Sequence, residues 1–293
     1  MHVIKIKKKM QLNLQKHINQ VFLGDVMALL KDLPDKSVDM VFGDPDYNVG
    51  VVYGDRKYSQ NFGDYIQWYC ALAAESLRVL KDDGNMFLIN YPKQNAYLRV
   101  EYLDKACHAV FDYAWVYNTN VGHSPRRFTT AHRSILHCTK TAHNRFYKDQ
   151  VAQPYLNPTD RRIRANLANG SKGRMPYDWL YYDLVKNVSK EKTIHACQIP
   201  QRLTELLIHA TTKPGDNVLV LFGGSGAEAT LCREMRRNFI TAEIDEKYHQ
   251  IIEDRLKRGL IDPQYRLINK MHKKSSELDS PSLFSRDCEN RGS

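Results

Sequence analysis

No pair of cysteines in the chain is spaced for joint work. The six, Cys70, Cys107, Cys138, Cys197, Cys232 and Cys288, are scattered through 293 residues without a C-x-x-C, which argues against a disulfide framework and a cysteine-based zinc site. A reducing, cytoplasmic setting fits that usage. Among 11 histidines the nearest group, His132, His137 and His143, lacks ligand spacing, so no metal is expected. No apolar run approaches the ~20 residues of a bilayer span and the N-terminus is too polar for a secretory signal, so a soluble protein away from membranes is expected. Acids are the minority: 33 Asp and Glu against 43 Lys and Arg leave a formal +10, which favours a polyanionic partner. Internal repeats and helix-turn-helix, zinc-finger or RNA-recognition signatures are missing too. What remains, with 42% apolar residues, is material for one large core.

The stretch that organises the chain is Val38-Asp39-Met40-Val41-Phe42-Gly43-Asp44-Pro45-Asp46-Tyr47-Asn48. An apolar, β-branched and aromatic run stopped by Gly, Asp and Pro predicts a buried strand, and ligands of α/β sheets bind where such strands end. Asp44 then offers a carboxylate at the strand tip, the Pro45 carbonyl a second acceptor, and Tyr47 an aromatic plane. Two acceptors and a ring suit a planar, amino-bearing molecule such as a nucleobase drawn out of its stack. The same spacing also fits an ordinary turn.

Around it the pattern alternates. Gln20–Leu23 reads as a strand, 26–33 as a helix with Met27, Leu29, Leu30 and Leu33 on one stripe, 65–80 and 95–110 as helices, and 85–90, 113–117 and 134–138 as strands. Lys81-Asp82-Asp83-Gly84 reads as the turn between the 65–80 helix and its strand, and 51–63 as a mobile loop over the strand tip. Strands alternating with helices imply a parallel sheet with helices on both faces. Between about 139 and 190 the alternation fails. That segment interleaves Arg161, Arg162, Arg164, Lys172 and Arg174 with Tyr155, Tyr177, Trp179 and Tyr181, a composition suited to phosphates and bases. Arg126, Arg127 and Arg133 in the preceding loop are further candidate nucleic-acid contacts. Residues 1–19 form a basic arm and 261–293 a loose, Ser- and Asp-rich tail.

A second stretch, Lys213-Pro214-Gly215-Asp216-Asn217-Val218-Leu219-Val220-Leu221-Phe222-Gly223-Gly224-Ser225-Gly226, follows a helix over 199–212 and carries a strand straight into glycines. Glycines let backbone approach a ligand, and the next helix, 227–237, aims its N-terminal N–H groups there. The strand after it, 238–242, ends on Glu243, placed to accept from a ribose diol. The order strand, Gly-turn, helix, strand, acid points to a nucleoside-containing cofactor, while the glycine spacing departs from the G-x-G-x-x-G of dinucleotide sites.

On these motifs the chain resembles the β-class amino-group DNA methyltransferases, in which a D-P-P-Y strand precedes the cofactor's F-x-G-x-G strand. Asp44-Pro45-Asp46-Tyr47 matches the first motif and Phe222 to Gly226 the second. His195-Ala196-Cys197-Gln198-Ile199-Pro200 resembles the family's H-P-x-Q-x-P box, and Arg78 to Gly84 its helix-to-strand joint. The resemblance covers about residues 20–260. It implies a circularly permuted α/β methyltransferase fold of Rossmann type, with a mostly parallel seven-stranded sheet. It also implies S-adenosylmethionine as cofactor and double-stranded DNA as substrate.

By the same resemblance Asp44, Pro45 and Tyr47 are catalytic. Asp25, Gln198, Phe222, Gly223, Gly224, Ser225, Gly226 and Glu243 hold the cofactor, and the basic insertion reads the target sequence. A bacterial or phage-type, nucleoid-associated enzyme is implied, with a cognate restriction endonuclease and a homodimer as expected partners. Asp in the first motif leans toward adenine N6, and the Cys197-Gln198 pair looks more like the cytosine-N4 group. Three departures stand out: Asp46 replaces Pro, Val220-Leu221 replaces Asp-Pro before the Phe, and Ala196 replaces Pro. Asp46 is expected to replace the acid lost at Val220. Rival readings are a catalytically weak nucleic-acid-binding relative, a Rossmann oxidoreductase and an RNA methyltransferase.

Overall fold

The computed structural model describes residues 13–266 except 51, 54–55, 58–59, 119–124, 187–188, 190 and 196. Most of the basic arm and of the C-terminal tail therefore lie outside the described residues. In chain order the elements are β1 (Gln20–Leu23), α1 (Val26–Asp32), β2 (Val38–Gly43), a hairpin of β3 (Val52–Tyr53) and β4 (Arg56–Lys57), α2 (Phe62–Val79), β5 (Leu80–Asn90), α3 (Pro92–Leu98), β6 (Ala109–Val116) and β7 (His132–Thr139). Then follow α4 (Arg161–Ala168), β8 (Trp179–Tyr181), α5 (Gln201–Thr211), β9 (Asn217–Val220), α6 (Ala227–Glu234), β10 (Asn238–Glu243) and α7 (Glu246–Arg258).

The main sheet has the order β1-β10-β9-β2-β5-β7-β6-β8. From β1 to β5 all neighbours are parallel; β7 runs antiparallel to both β5 and β6, and β8 joins β6 in parallel. Eight strands replace the seven expected. The additional one is β8, three residues from the stretch expected to be irregular, which also contributes helix α4, none of whose residues is buried. The latest strands, β9 and β10, are slotted between the earliest, β1 and β2, which is the permuted connectivity that the motif order implied.

Strand alternation divides the apolar residues between two faces. Leu219 and Leu221 join α1 and α2 in one buried cluster, whereas Val218 and Val220 join α5, α6 and α7 in the other. Every residue of β2 is buried, as a central parallel strand requires. On the first face Arg78 fastens α2 to α1 by donating to the terminal carbonyls of Leu33 at 2.9 Å and Leu30 at 2.5 Å.

Two local expectations fail. The predicted turn at 81–84 lies within β5, because its charges are paired across the strand bottoms: Lys81 to Asp39 at 2.7 Å, Lys36 to Asp82 at 2.6 Å and Arg145 to Asp83 at 3.1 Å. The register shifts between Val38 and Met40 on the facing strand, and a side chain at Gly84 would meet the Asp39 carbonyl at 2.8 Å. The helix predicted over 95–110 starts at Pro92, widens into a π turn at Arg99–Leu103 and stops at Ala106, with β6 beginning at Ala109. The loop over 51–63 lies partly outside the described residues. Its base is closed by Asn48, whose side chain donates to Gln60 O at 2.9 Å and accepts from Gln60 N at 2.7 Å.

Candidate active site

The parallel strands β1, β2, β9 and β10 end on one edge of the sheet, and residues just beyond all four line one cavity of about 470 Å³. The volume is that of a site for a ligand of nucleoside size or somewhat larger. The connection from β9 runs through α6 on one face, whereas that from β2 runs through α2 on the other. Their divergence opens the sheet edge between two hydrogen-bonded neighbours, with Leu221 N donating to Phe42 O at 2.9 Å. Two motifs far apart in sequence thus meet at adjacent strand tips.

On the β9 and β10 side, the chain turns through Phe222, Gly223, Gly224, Ser225 and Gly226 into α6. Gly226 caps that helix with φ of 72° and Gly224 has φ of 53°, both in the left-handed region that favours glycine. Glu243, at the tip of β10, accepts from Gly224 N at 2.8 Å through one oxygen and from Asp245 N at 2.9 Å through the other. Each carboxylate oxygen keeps a lone pair for a ligand. Burial pushes the Glu243 carboxyl above its ordinary value while these amides pull it down. Phe222 faces Trp68 across 6.4 Å, and both line the cavity.

Two expected cofactor residues carry structural duties as well. Asp25 lines the cavity and caps α1, accepting from Met27 N at 2.6 Å. Gln198 also lines it, yet both ends of its amide are engaged. Its oxygen accepts from Thr193 N at 2.7 Å and its nitrogen donates to Glu191 O at 3.1 Å, which fixes the loop before α5. His195 of the same box packs edge-on to Tyr248 at 4.8 Å, and burial lowers its pKa to about 4, so the imidazole is neutral.

On the β2 side Asp44 is partly exposed to the cavity and accepts a hydrogen bond from the Tyr47 hydroxyl. Burial pushes its carboxyl up to about 7; the Tyr47 bond opposes this, the charge of Glu228 adds to it and Arg133 counters. Asp46 takes Asn48 N at 2.7 Å on one oxygen, and its other oxygen is buried without a hydrogen-bond partner among the described residues. Tyr47 is 7% exposed, with Tyr91 edge-on at 5.2 Å. Arg133, a candidate nucleic-acid contact, lies in β7 and not in the loop before it, half-buried against tyrosines: its guanidinium is 3.8 Å from the Tyr91 ring centroid and 5.3 Å from that of Tyr47.

The remaining candidate basic residues occupy other places. Arg126 and Arg127 sit in the loop before β7, Arg161, Arg162 and Arg164 on the exposed helix α4, and Lys172 is exposed beyond it. Arg174 is half-buried, with its guanidinium 4.3 Å from the Tyr177 ring. Trp68, Tyr248 and Glu228 line the cavity and were not singled out by the sequence; Glu228, in the first turn of α6, is 8% exposed, and burial pushes its carboxyl up to about 7. An acid in a helix's first turn reads as a partner of the helix dipole, which hid it.

A family model described as DNA methylase, for N6- and N4-directed enzymes, matches residues 38–254. Among similar proteins, the type II methyltransferase M.BglII of Bacillus subtilis is 28% identical over 304 residues, covering 95% of this chain and 81% of its own. The DNA adenine methyltransferase YhdJ of Escherichia coli (strain K12) is 27% identical, covering 77% and 78%. Among solved structures, the cytosine-N4-specific PvuII DNA methyltransferase superposes with a TM-score of 0.64 at 18% identity, covering 87% of this chain and 91% of that one. Among the described residues no helix is long and apolar enough to cross a membrane.

Proposed function

Since the chain belongs to the N6/N4 amino-group DNA methylase family, we propose that it moves the methyl group of S-adenosylmethionine to the exocyclic amino group of a base in double-stranded DNA, with adenine N6 favoured. The observation that carries the reading is the meeting of Asp44 and the turn of Gly223, Gly224 and Ser225 at adjacent strand tips across one cavity. The donor set fits the cofactor. Glu243 retains acceptors for the ribose hydroxyls, Phe222 and Trp68 supply an aromatic wall, and the Asp46 Oδ2 atom, without a hydrogen-bond partner among the described residues, is an acceptor for a cationic ligand. When bound, S-adenosylmethionine supplies a methyl group on a positively charged sulfur.

The chain's own part is to place and polarise the amino group. Asp44 accepts a hydrogen bond from one of its N–H groups and the Pro45 carbonyl from the other, which draws the nitrogen lone pair out of conjugation with the ring and toward the methyl group; the one proton that leaves the nitrogen on methylation departs on the Asp44 side. The Tyr47 hydroxyl fixes the Asp44 carboxyl in place. No covalent nucleophile is required. Asp44 favours adenine, since cytosine-directed members of the resembled family carry Ser at that position, and the similarity to an adenine methyltransferase supports this. The similarity to the cytosine-N4-specific enzyme keeps the fold common to both.

The insertion over 139–190, with Arg126, Arg127 and Arg133, forms the DNA-reading surface, and α4 with its three arginines is its most exposed part. Replacing Arg161, Arg162 and Arg164 together by Ala lowers the slope of log K against log salt by about 2–3, as expected for three phosphate contacts. The deciding experiment is transfer from labelled S-adenosylmethionine to unmethylated mixed-sequence DNA, followed by digestion to nucleosides. Label in N6-methyladenine that vanishes in Asp44→Ala is expected. Label in N4-methylcytosine would overturn the choice of base, and no label in either would overturn the activity.

A further inference from the structure

Charges in the cavity are out of balance. Asp44, Asp46, Glu228 and Glu243 all line it, yet their protein partners differ sharply. Glu243 has two backbone amides. Asp44 has the Tyr47 hydroxyl and Asp46 one amide of its own loop. Glu228 is more than nine-tenths buried, and its carboxylate has neither an ion-pair partner within 4 Å nor a hydrogen bond from any other described residue. The cation whose charge bears on it, Arg255, is itself buried and donates to Ser225 O at 3.1 Å. A carboxylate so buried, with its own backbone amide as donor, costs several kcal/mol unless it takes up a proton or a cation arrives.

The strand tip beside it offers no such group. Val220 stands where an acid precedes the Phe in the resembled family, and here it is packed at 2% exposure in the apolar cluster with Ile199 and Ala229. Ala229 is the residue next to Glu228. An acid absent from the end of β9 is thus matched by an acid on the first turn of α6, in the same cavity and beside the same apolar cluster. S-adenosylmethionine carries two cationic centres, and only its α-ammonium has N–H groups to donate to a carboxylate.

We propose that Glu228 is the acceptor for the α-ammonium of the cofactor's amino-acid end, taking the place that sequence comparison had offered to Asp46. The assignment rests on reading the cavity as the S-adenosylmethionine site. It also gives the cavity a division of labour: Glu243 at the ribose end, Glu228 at the amino-acid end, and Asp44 facing the base.

Two ligands test it by calorimetry on the full chain. S-adenosylhomocysteine retains the ammonium and lacks the sulfonium charge; 5′-methylthioadenosine lacks the whole amino-acid end. Glu228→Gln is expected to weaken S-adenosylhomocysteine about tenfold to a hundredfold, the worth of a charge-assisted hydrogen bond, and to leave 5′-methylthioadenosine within about twofold. Retained binding of the smaller ligand reports that the variant is folded. If Glu228→Gln collapses, Glu228→Asp, which keeps the charge on a shorter arm, must show the same selective loss. Equal affinities of wild type and Glu228→Gln for S-adenosylhomocysteine would overturn the assignment. So would a selective loss in Asp46→Asn with none in Glu228→Gln. A wild-type chain that binds neither ligand would overturn the cofactor reading itself, a result distinguishable from both.

Discussion

Strand β2 has a carboxylate near each end, and the two live in opposite electrostatic worlds. Asp39, near its start, is 2% exposed and receives Lys81 at 2.7 Å, Asn217 N at 2.8 Å and the Arg145 guanidinium. Burial raises its pKa, but these partners outweigh it and hold the carboxyl below its ordinary value. Asp44, just past the strand's end, has the Tyr47 hydroxyl as its one hydrogen-bond partner among the described residues and is pushed up to about 7 by burial. The lesson is that burial alone does not set the charge of a carboxyl. The partners do, and this chain supplies them at the end that joins β2, β5, β9 and Arg145, and withholds them at the end that faces the cavity.

The sharpest way to break the comparison is to neutralise each acid in turn. Asp44→Asn is expected to cost about 100-fold to 1,000-fold or more in methyl transfer, since one preorganised acceptor is lost, while leaving affinity for S-adenosylhomocysteine within about twofold. Asp39→Asn is expected to leave chemistry intact and to destabilise the fold by about 3 kcal/mol in urea unfolding, discounted for the partial exposure of Lys81 and Arg145.

Stability against pH separates the two acids further. A carboxyl raised to about 7 when folded is protonated in the native state between about pH 4 and 7, where the unfolded chain is already ionised, so its contribution to stability declines as pH rises through that window. Asp44→Asn is therefore expected to stabilise the protein by about 1–3 kcal/mol at pH 8, and the gain should shrink as pH falls through that window and vanish below about pH 4. For Asp39, held low, the sign is reversed: its stabilisation is present at neutral pH and disappears as pH falls below about 4. If both variants move the melting temperature in the same direction at pH 8, the contrast is wrong.

The kinetic counterpart is smaller. Asp44 must be ionised to accept from the amino group, so kcat/KM should fall about tenfold per pH unit below about 7, more steeply if Glu228 titrates with it. Smaller again is Glu243→Gln, which breaks the bridge to Gly224 N and Asp245 N. It is expected to weaken S-adenosylhomocysteine and 5′-methylthioadenosine alike by about tenfold, because the ribose is common to both.

Periodicity made much of the fold readable in advance. β1 matches its predicted limits, and α1, α5 and β10 lie within two residues of theirs, because one-sided burial gives the helices a period of 3.6 and β10, buried on both faces, is a short apolar run. The misses have tertiary causes. Lys81, Asp82 and Asp83 look like turn residues until Asp39, Lys36 and Arg145 are brought opposite them. The π turn at Arg99–Leu103 alters the helical phase and leaves Val100 at 65% exposure, so apolar spacing carried the helix expectation too far toward β6. At the cavity, Asp44, Glu243 and the glycine turn were legible as strand-end signals. Glu228 and the tyrosine surroundings of Arg133 were not, since both depend on which elements the sheet order brings together.

The position of β9 and β10 between β1 and β2 bears on how the chain is made. A ribosome releases β1 and β2 early, yet the strands that cover their facing edges emerge only after another 200 or so residues, roughly 10–40 s later at ordinary elongation rates. Throughout that interval the nascent chain carries two apolar strands with open edges and no pocket between them. Slower growth at low temperature or a holding chaperone should therefore raise the soluble yield, and a chain cut short before Asn217 should precipitate instead of folding as a smaller unit.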